Sequence, residues 1–317
     1  MSRGTLRAHH NGMKSVRIHS YGDNSVVRIE DIQKPTPGPG ELLIKVAAAA
    51  VNPVDIQIRE GKHEQWLHHT LPLTLGCDVS GTVESGEGFE PGATVYAYLN
   101  LARLGAFAEF AIAKKEEVAL APKTLDVIHA AAVPVAVLTA WQGLFDTAKL
   151  EFGQTVLIHA ASGGVGSMAV QLAKWKGARV IATASEGNRE YVGALGADEF
   201  IDYKTQRFEE VVSDIDVVFD TMGGETQERS FGVLKPGGFL VSTVAPPSAE
   251  KAKAAGVRAA MMGVQPDGAR LAEVAKMFDD NLLRTLVENR FPLKDATKAF
   301  DLSAKGRVRG KIVLTVG

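Results

Sequence analysis

The residues best suited to chemistry lie between Thr155 and Gly166, reading TVLIHAASGGVG. An apolar run passes straight into a glycine-dense turn, after which Val165, Met168, Ala169, Leu172 and Ala173 recur at helical spacing. Such a turn lets backbone N–H groups close on a pyrophosphate at a helix N-terminus, where unpaired donors and the macrodipole favour an anion. Ser162, Gly163, Gly164, Val165 and Gly166 are the residues placed for that contact. The run departs from strict G-x-G-x-x-G, because Ala161 stands at the first position while Gly163 and Gly166 hold the other two. Context supplies the specificity: a strand precedes, a helix follows, Gly177 stops that helix, and a second strand starts at Arg179. A turn with a purely structural role is the competing reading.

The end of that second strand selects the dinucleotide. An acid there accepts from the ribose 2′-OH of NAD, whereas cationic and hydroxyl groups accommodate the extra phosphate of NADP. The local sequence is ATASEGNREY, in which Ser185 and Arg189 could both reach a 2′-phosphate, and this favours NADPH. Glu186 is the opposing residue, as a ribose acid or as part of a solvated face.

These residues need elements to hold them. After Pro122 the chain alternates apolar strands with amphipathic helices, the form of βαβ units around a parallel, doubly wound sheet. The spacing predicts strands at Thr155 to His159, Arg179 to Thr183, Glu199 to Asp202, Val217 to Asp220 and Phe239 to Thr243. From Lys14 to Lys123 the reading is a barrel-like β domain of short strands, among them Glu41 to Ala47, Val79 to Val83 and Thr94 to Tyr98. Between strands the run PTPGPG, Pro35 to Gly40, makes a turn. Beyond Pro247 come an apolar segment from Val257 to Gln265, a helix from Gly268 to Asn281 and a strand from Lys311 to Val316. The first of these reads as an edge, and a bare edge carrying Met261 and Met262 invites pairing with its copy in a homodimer.

Composition narrows the partners. The 317 residues are 45% hydrophobic, enough for two domains with their own cores. Lys plus Arg number 35 against 37 Asp plus Glu, a net charge of -2, which gives no footprint for nucleic acid or an anionic membrane. A small-molecule substrate fits better. Cys77 is the single cysteine, so no intrachain disulfide forms, and a reducing cytoplasmic compartment is expected. No apolar run approaches the roughly 20 residues of a bilayer span. Residues 1–12 read as a polar tail, and the stretch through Asn11 lacks the apolar core of a signal peptide.

Taken together, AAAAVNPVDIQIREG, LGCDVSGTVESG, AAVPVAVLTAWQGLF, GQTVLIHAASGGVGSMAVQLAK and the closing GKIVL resemble the medium-chain dehydrogenases/reductases. Within them the likeness is to the zinc-free quinone oxidoreductases similar to zeta-crystallin. The resemblance implies a GroES-like β-barrel catalytic domain from residues 13–122 and 266–317, with a Rossmann dinucleotide-binding domain, 123–265, inserted between. It also implies that Ser185, Arg189 and Tyr203 line the adenosine phosphate pocket, that Thr139 and the backbone near Val244 meet the nicotinamide, and that Lys311 lies near the cofactor. Dimerisation through Val257 to Gln265 is implied as well. Zinc-dependent relatives place cysteine, histidine and glutamate where this chain has Asp55, Cys77 and Asp78, so no metal site is expected.

Without a metal to polarise an alcohol, reduction of an electrophile is the easier chemistry. Quinones and α,β-unsaturated carbonyls need only a hydride donor in near-attack geometry and a hydrogen bond to the developing oxyanion. An enoyl-thioester reductase and a noncatalytic NADPH-binding sensor or structural protein are the alternatives. Asn52, Asp55 and Thr139 are the candidate catalytic groups, with Gln57, His63 and Tyr98 as possible substrate contacts. Each has a structural role available. Asn52-Pro53 with Asp55 three positions on is a helix start, Thr139 can simply pack its helix, and Cys77 is commonly a small buried residue.

Overall fold

Short apolar runs, most of them buried on both faces, satisfy their backbone groups only by pairing side by side. In the computed structural model, which describes residues 12–317, these runs form one parallel six-stranded sheet. Across it lie Glu199–Asp202, Arg179–Ala184, Thr155–Ile158, Ile215–Asp220, Leu234–Ser242 and Arg258–Met261. Numbered along the chain the order is 3-2-1-4-5-6, and it reverses beside Thr155–Ile158. The glycine turn follows that strand, at the switch point where doubly wound sheets bind ligands. The helix after it, Gly164–Lys176, buries Met168, Ala169, Leu172 and Ala173 and stops at Gly177, whose φ of 87° is left-handed.

Leu234–Ser242 starts five residues before the expected Phe239. Its Lys-Pro-Gly-Gly stretch, with Gly237 left-handed at φ 77°, bulges from the pairing with Ile215–Asp220, whose register shifts there. Among the described residues Arg258–Met261 pairs only with Leu234–Ser242 and so forms an edge; Met261 is half exposed and Met262 is buried.

The other lobe is β-rich. Its seven-stranded sheet runs Val287–Pro292, Lys311–Thr315, Glu41–Val51, Asp78–Gly86, Thr94–Tyr98 and Val118–Leu120, with Phe110–Lys114 also paired to Glu41–Val51. A smaller sheet of Gly12–Ile18, Val27–Gln33 and Leu73–Thr74 packs beside it. Gly12 thus opens a strand, while the rest of the expected tail lies outside the described residues. Lys311–Thr315 is antiparallel to Glu41–Val51, so residues far apart in sequence share one sheet. Helix Gly268–Asp279 ends two residues before the expected Asn281, and its Leu271 carbonyl accepts from the buried Tyr96 hydroxyl at 2.5 Å. The helices Val127–Ala131 and Pro134–Trp141 pack on the seven-stranded sheet, and the second, wholly buried, also packs on helix Gly164–Lys176.

Candidate active site

The glycines of the turn do different work. A Cβ on Gly166 would come within 2.1 Å of the Ala160 carbonyl oxygen, so glycine there lets the helix close onto the strand. A Cβ on Gly164 would strike the Lys311 side chain at 2.4 Å. At Gly163 the backbone is extended, and a Cβ would meet nothing nearer than 3.5 Å, an ordinary contact. Packing therefore does not require glycine at 163, whereas close approach of a pyrophosphate to the helix N-terminus does. The left-handed residue of the turn is Ala160, with φ 50°. It is followed by buried Ala161, whose N–H donates to the Thr183 carbonyl at 3.0 Å.

The Lys311 strand meets this turn, because Gly310 N–H donates to the Ser162 carbonyl at 2.9 Å. A cavity of about 210 Å³ opens beside it, lined by Asn52, Gly163, Gly166, Thr221, Val308 and Lys311. Behind its wall lies a buried polar cluster. Asp55 accepts from the Asn52 backbone N–H at 2.8 Å, which fixes the start of helix Pro53–Arg59. The Asn52 side chain turns away from that helix: its amide donates to Asp78 Oδ2 at 2.9 Å, and its Oδ1 accepts from Lys311 Nζ. Lys311 Nζ also lies 3.5 Å from Asp78 Oδ2. The second Asp78 oxygen accepts from Val135 N–H at 2.8 Å, at the start of helix Pro134–Trp141.

Burial sets the electrostatics of this cluster. It pushes the Asp55 carboxyl up to about 7, with the charge of Asp78 acting the same way and the Asn52 N–H opposing. Burial raises Asp78 too, with Lys311 as the main opposing charge. The Cys77 thiol is driven well above its usual range by burial and by both carboxylates. Among the described residues no three His, Cys, Asp or Glu side chains converge as a metal's donors would.

A second cavity, of about 240 Å³, continues the first along the carboxyl ends of the strands, the two sharing Ala160, Gly163, Gly306 and Val308. Ser185, Asn188, Tyr203, Lys204 and Arg307 line it, with His159 at the back. His159 is paired through both ring nitrogens, to Thr183 at 3.0 Å and Ser230 at 2.9 Å, and burial holds it down to about 4, hence neutral.

The structure thus brings Ser162, Gly163, Gly164, Val165, Gly166, Asn52 and Lys311 together around one cleft, with Ser185 and Tyr203 at its far end. Arg189 lines neither cavity. Its guanidinium is bound through two nitrogens to Glu186, at 2.7 and 2.8 Å, and lies over the Phe200 ring. Thr139 is buried on its helix, and Val244, half exposed, follows Ser242, whose Oγ accepts from the Val244 N–H at 3.3 Å; neither lines the two cavities. His63 pairs with Gln57 at 2.8 Å, and the Tyr98 hydroxyl is spent on the Val264 carbonyl at 3.4 Å. Lys204 and Arg307 were not singled out from the sequence. Lys204 directly follows Tyr203 and is marked by that position, whereas nothing local marks Arg307.

A doubly wound sheet with a glycine turn at its switch point, opening on a cleft shared with a β lobe, defines the class: an oxidoreductase that uses a nicotinamide dinucleotide. Residues 38–123 match the family model described as alcohol dehydrogenase GroES-like domain, and residues 195–314 match the one described as zinc-binding dehydrogenase. The mitochondrial NAD(P)H oxidoreductase RTN4IP1 of Mus musculus is 33% identical, over 94% of this chain and 88% of its own. A 2-methylene-furan-3-one reductase of Solanum lycopersicum is 32% identical, over 95% and 79%. The quinone oxidoreductase of Coxiella burnetii superposes with a TM-score of 0.88 at 32% identity, over 96% and 100%. The chain belongs to the medium-chain dehydrogenase/reductase superfamily, in its quinone oxidoreductase-like family. No helix of the described residues is long and apolar enough to cross a membrane.

Proposed function

We propose that this protein is an NADPH-dependent reductase of quinones or α,β-unsaturated carbonyls that works without a metal ion. The observation carrying this is one continuous cleft, running from uncommitted cations at Lys204 and Arg307, past a glycine at 163 that packing does not need, to the buried Lys311 cluster. NADPH, when bound, supplies a hydride. The helix N-terminus at Gly164 offers unpaired N–H groups to the pyrophosphate, and Ser185, Tyr203 and the two cations face the adenosine end. Lys311, held by Asn52 and Asp78, puts a fixed positive charge beside the turn. Such preorganised charge stabilises anionic groups with little reorganisation. A quinone that takes up hydride becomes a hydroquinone anion, and solvent provides the proton.

The residues present do not fit a zinc ion. Asp55, Cys77 and Asp78 are already bonded to one another's neighbours, the thiol is held protonated by its surroundings, and Lys311 supplies the balancing cation. Loss of NADPH absorbance on mixing the protein with a panel of quinones and enals is the expected result, and its absence across the panel overturns the reading. Active protein carrying one equivalent of zinc overturns the metal-free part. The half-exposed edge at Arg258–Met261 supports a homodimer, which sedimentation showing only monomer removes. A buried free cysteine suits a reducing compartment such as the cytoplasm.

A further inference from the structure

We propose that the 2′-phosphate of the cofactor is read by Lys204 and Arg307, one from each lobe, and not by Arg189; the inference rests on the NADPH reading above. Five cations stand at or near the adenosine-side cavity, and their commitments separate them. Arg189 is bound through two nitrogens to Glu186 and stacked over Phe200. Arg229 is paired with Glu209 at 3.0 Å. Arg309 donates to Asn188 Oδ1 at 2.7 Å and to the Gly187 carbonyl at 3.1 Å, and lies 3.4 Å from Glu288. Lys204 and Arg307 alone combine two properties: they line the cavity, and they lack a carboxylate within 4.0 Å among the described residues.

Both are exposed side chains, so core packing does not account for them. Two cations facing one hollow repel each other when it is empty, and a dianion between them relieves that repulsion. The third donor is Ser185, whose Oγ accepts from Asn188 Nδ2 at 3.1 Å and keeps its own proton to donate. Arg189 acquires a different part. Glu186 follows the end of Arg179–Ala184 by two residues, and the bidentate pair neutralises it beside a site meant for an anion.

Arg307 also couples the phosphate to the shape of the cleft. It sits on the strap 305–310 joining helix Ala296–Ala304 to strand Lys311–Thr315. That strap is pinned across the cleft by Arg309 to Gly187 and Asn188, and by Gly310 to Ser162. A phosphate held between Lys204 and Arg307 adds a further tie at the same seam, so NADPH should quiet the strap more than NADH does.

The experiment compares dissociation constants for NADPH and NADH in the full-length protein and in three single variants, Lys204→Ala, Arg307→Ala and Arg189→Ala. Loss of one charge-assisted contact weakens NADPH about tenfold or more in each of the first two, with NADH unchanged as the control for folding. Arg189→Ala changes NADPH affinity less than about threefold, the loss expected for an exposed, solvent-screened pair. Arg307→Lys recovers part of the lost affinity. In hydrogen exchange, NADPH slows the amides of Arg307 to Arg309 more than NADH does, and Arg307→Ala abolishes that difference. A wild-type protein that binds both nucleotides equally overturns the NADPH reading itself. A wild-type preference for NADPH that survives Lys204→Ala and Arg307→Ala but collapses in Arg189→Ala overturns this inference and leaves that reading intact.

Discussion

The two ends of the cleft handle charge in opposite ways. Around Lys311 every ionic or amide group is buried and paired: Asp78 takes one bond from Asn52, one from Val135 and the charge of Lys311. At the other end Lys204 and Arg307 are exposed, with no carboxylate within 4.0 Å among the described residues. A buried charge must be matched within the protein, because water cannot reach it, whereas an exposed one can wait for a ligand. Substitution in the first region should therefore register as lost stability, and in the second as lost affinity alone.

Asp78→Ala tests the first half hardest. It leaves the Lys311 ammonium without its buried counter-charge and the Val135 N–H without its acceptor, and urea unfolding should show about 3–5 kcal/mol lost. A loss under about 1 kcal/mol would mean that water reaches the cluster.

A pair of glycine variants transfers the contrast to the turn. Gly166→Ala, with backbone 2.1 Å from the new Cβ, should cost about 1–3 kcal/mol of stability. Gly163→Ala has room in the protein, so its melting temperature should hold while nucleotide affinity falls about tenfold or more. If both variants lose only stability, the turn is structural.

The pH dependence of Asp55 comes next. Its folded value of about 7 lies above the ordinary 3.8, so across that window the native state holds a proton the unfolded chain has released. Stability from this group is thus greatest at low pH, falls as pH rises through the window, and is flat above it. Against Asp55→Asn, which lacks the proton, the difference should shrink by up to roughly 1.4 kcal/mol per pH unit. A pH-independent difference would place the carboxylate in contact with solvent.

The smallest effect is Lys204→Ala, whose melting curve should stay within about 0.5 kcal/mol of the parent.

What could be read from the sequence was what is local. Five strands, the glycine turn and the Gly177 stop follow from periodicity and from residues a few positions apart, and the parallel sheet appears where they put it. Asn52, Pro53 and Asp55 announced a helix start, yet the Asn52 side chain serves Asp78 and Lys311 while Asp55 closes the first turn. That exchange depends on a strand more than two hundred residues away, which no local pattern encodes. A separation of about a hundred residues hid Arg307 from Tyr203 and Lys204 in the same way. Arg189 was the reverse case: its partner Glu186 lies three residues before it, at a spacing that pairs side chains on a helical turn, and that pairing withdraws it from the cavity.

The seating of Lys311–Thr315 against Glu41–Val51 also has a temporal side. Asp78 is synthesised long before the cation that balances it, with the whole parallel sheet made in between. Until Lys311 arrives, the β lobe lacks both an interior strand and the neutralising charge, so its closure is a late, non-local event, whereas the inserted sheet has its strands in hand earlier. A nascent chain stalled before this strand would hold all six strands of the parallel sheet beside a β lobe that still lacks an interior strand.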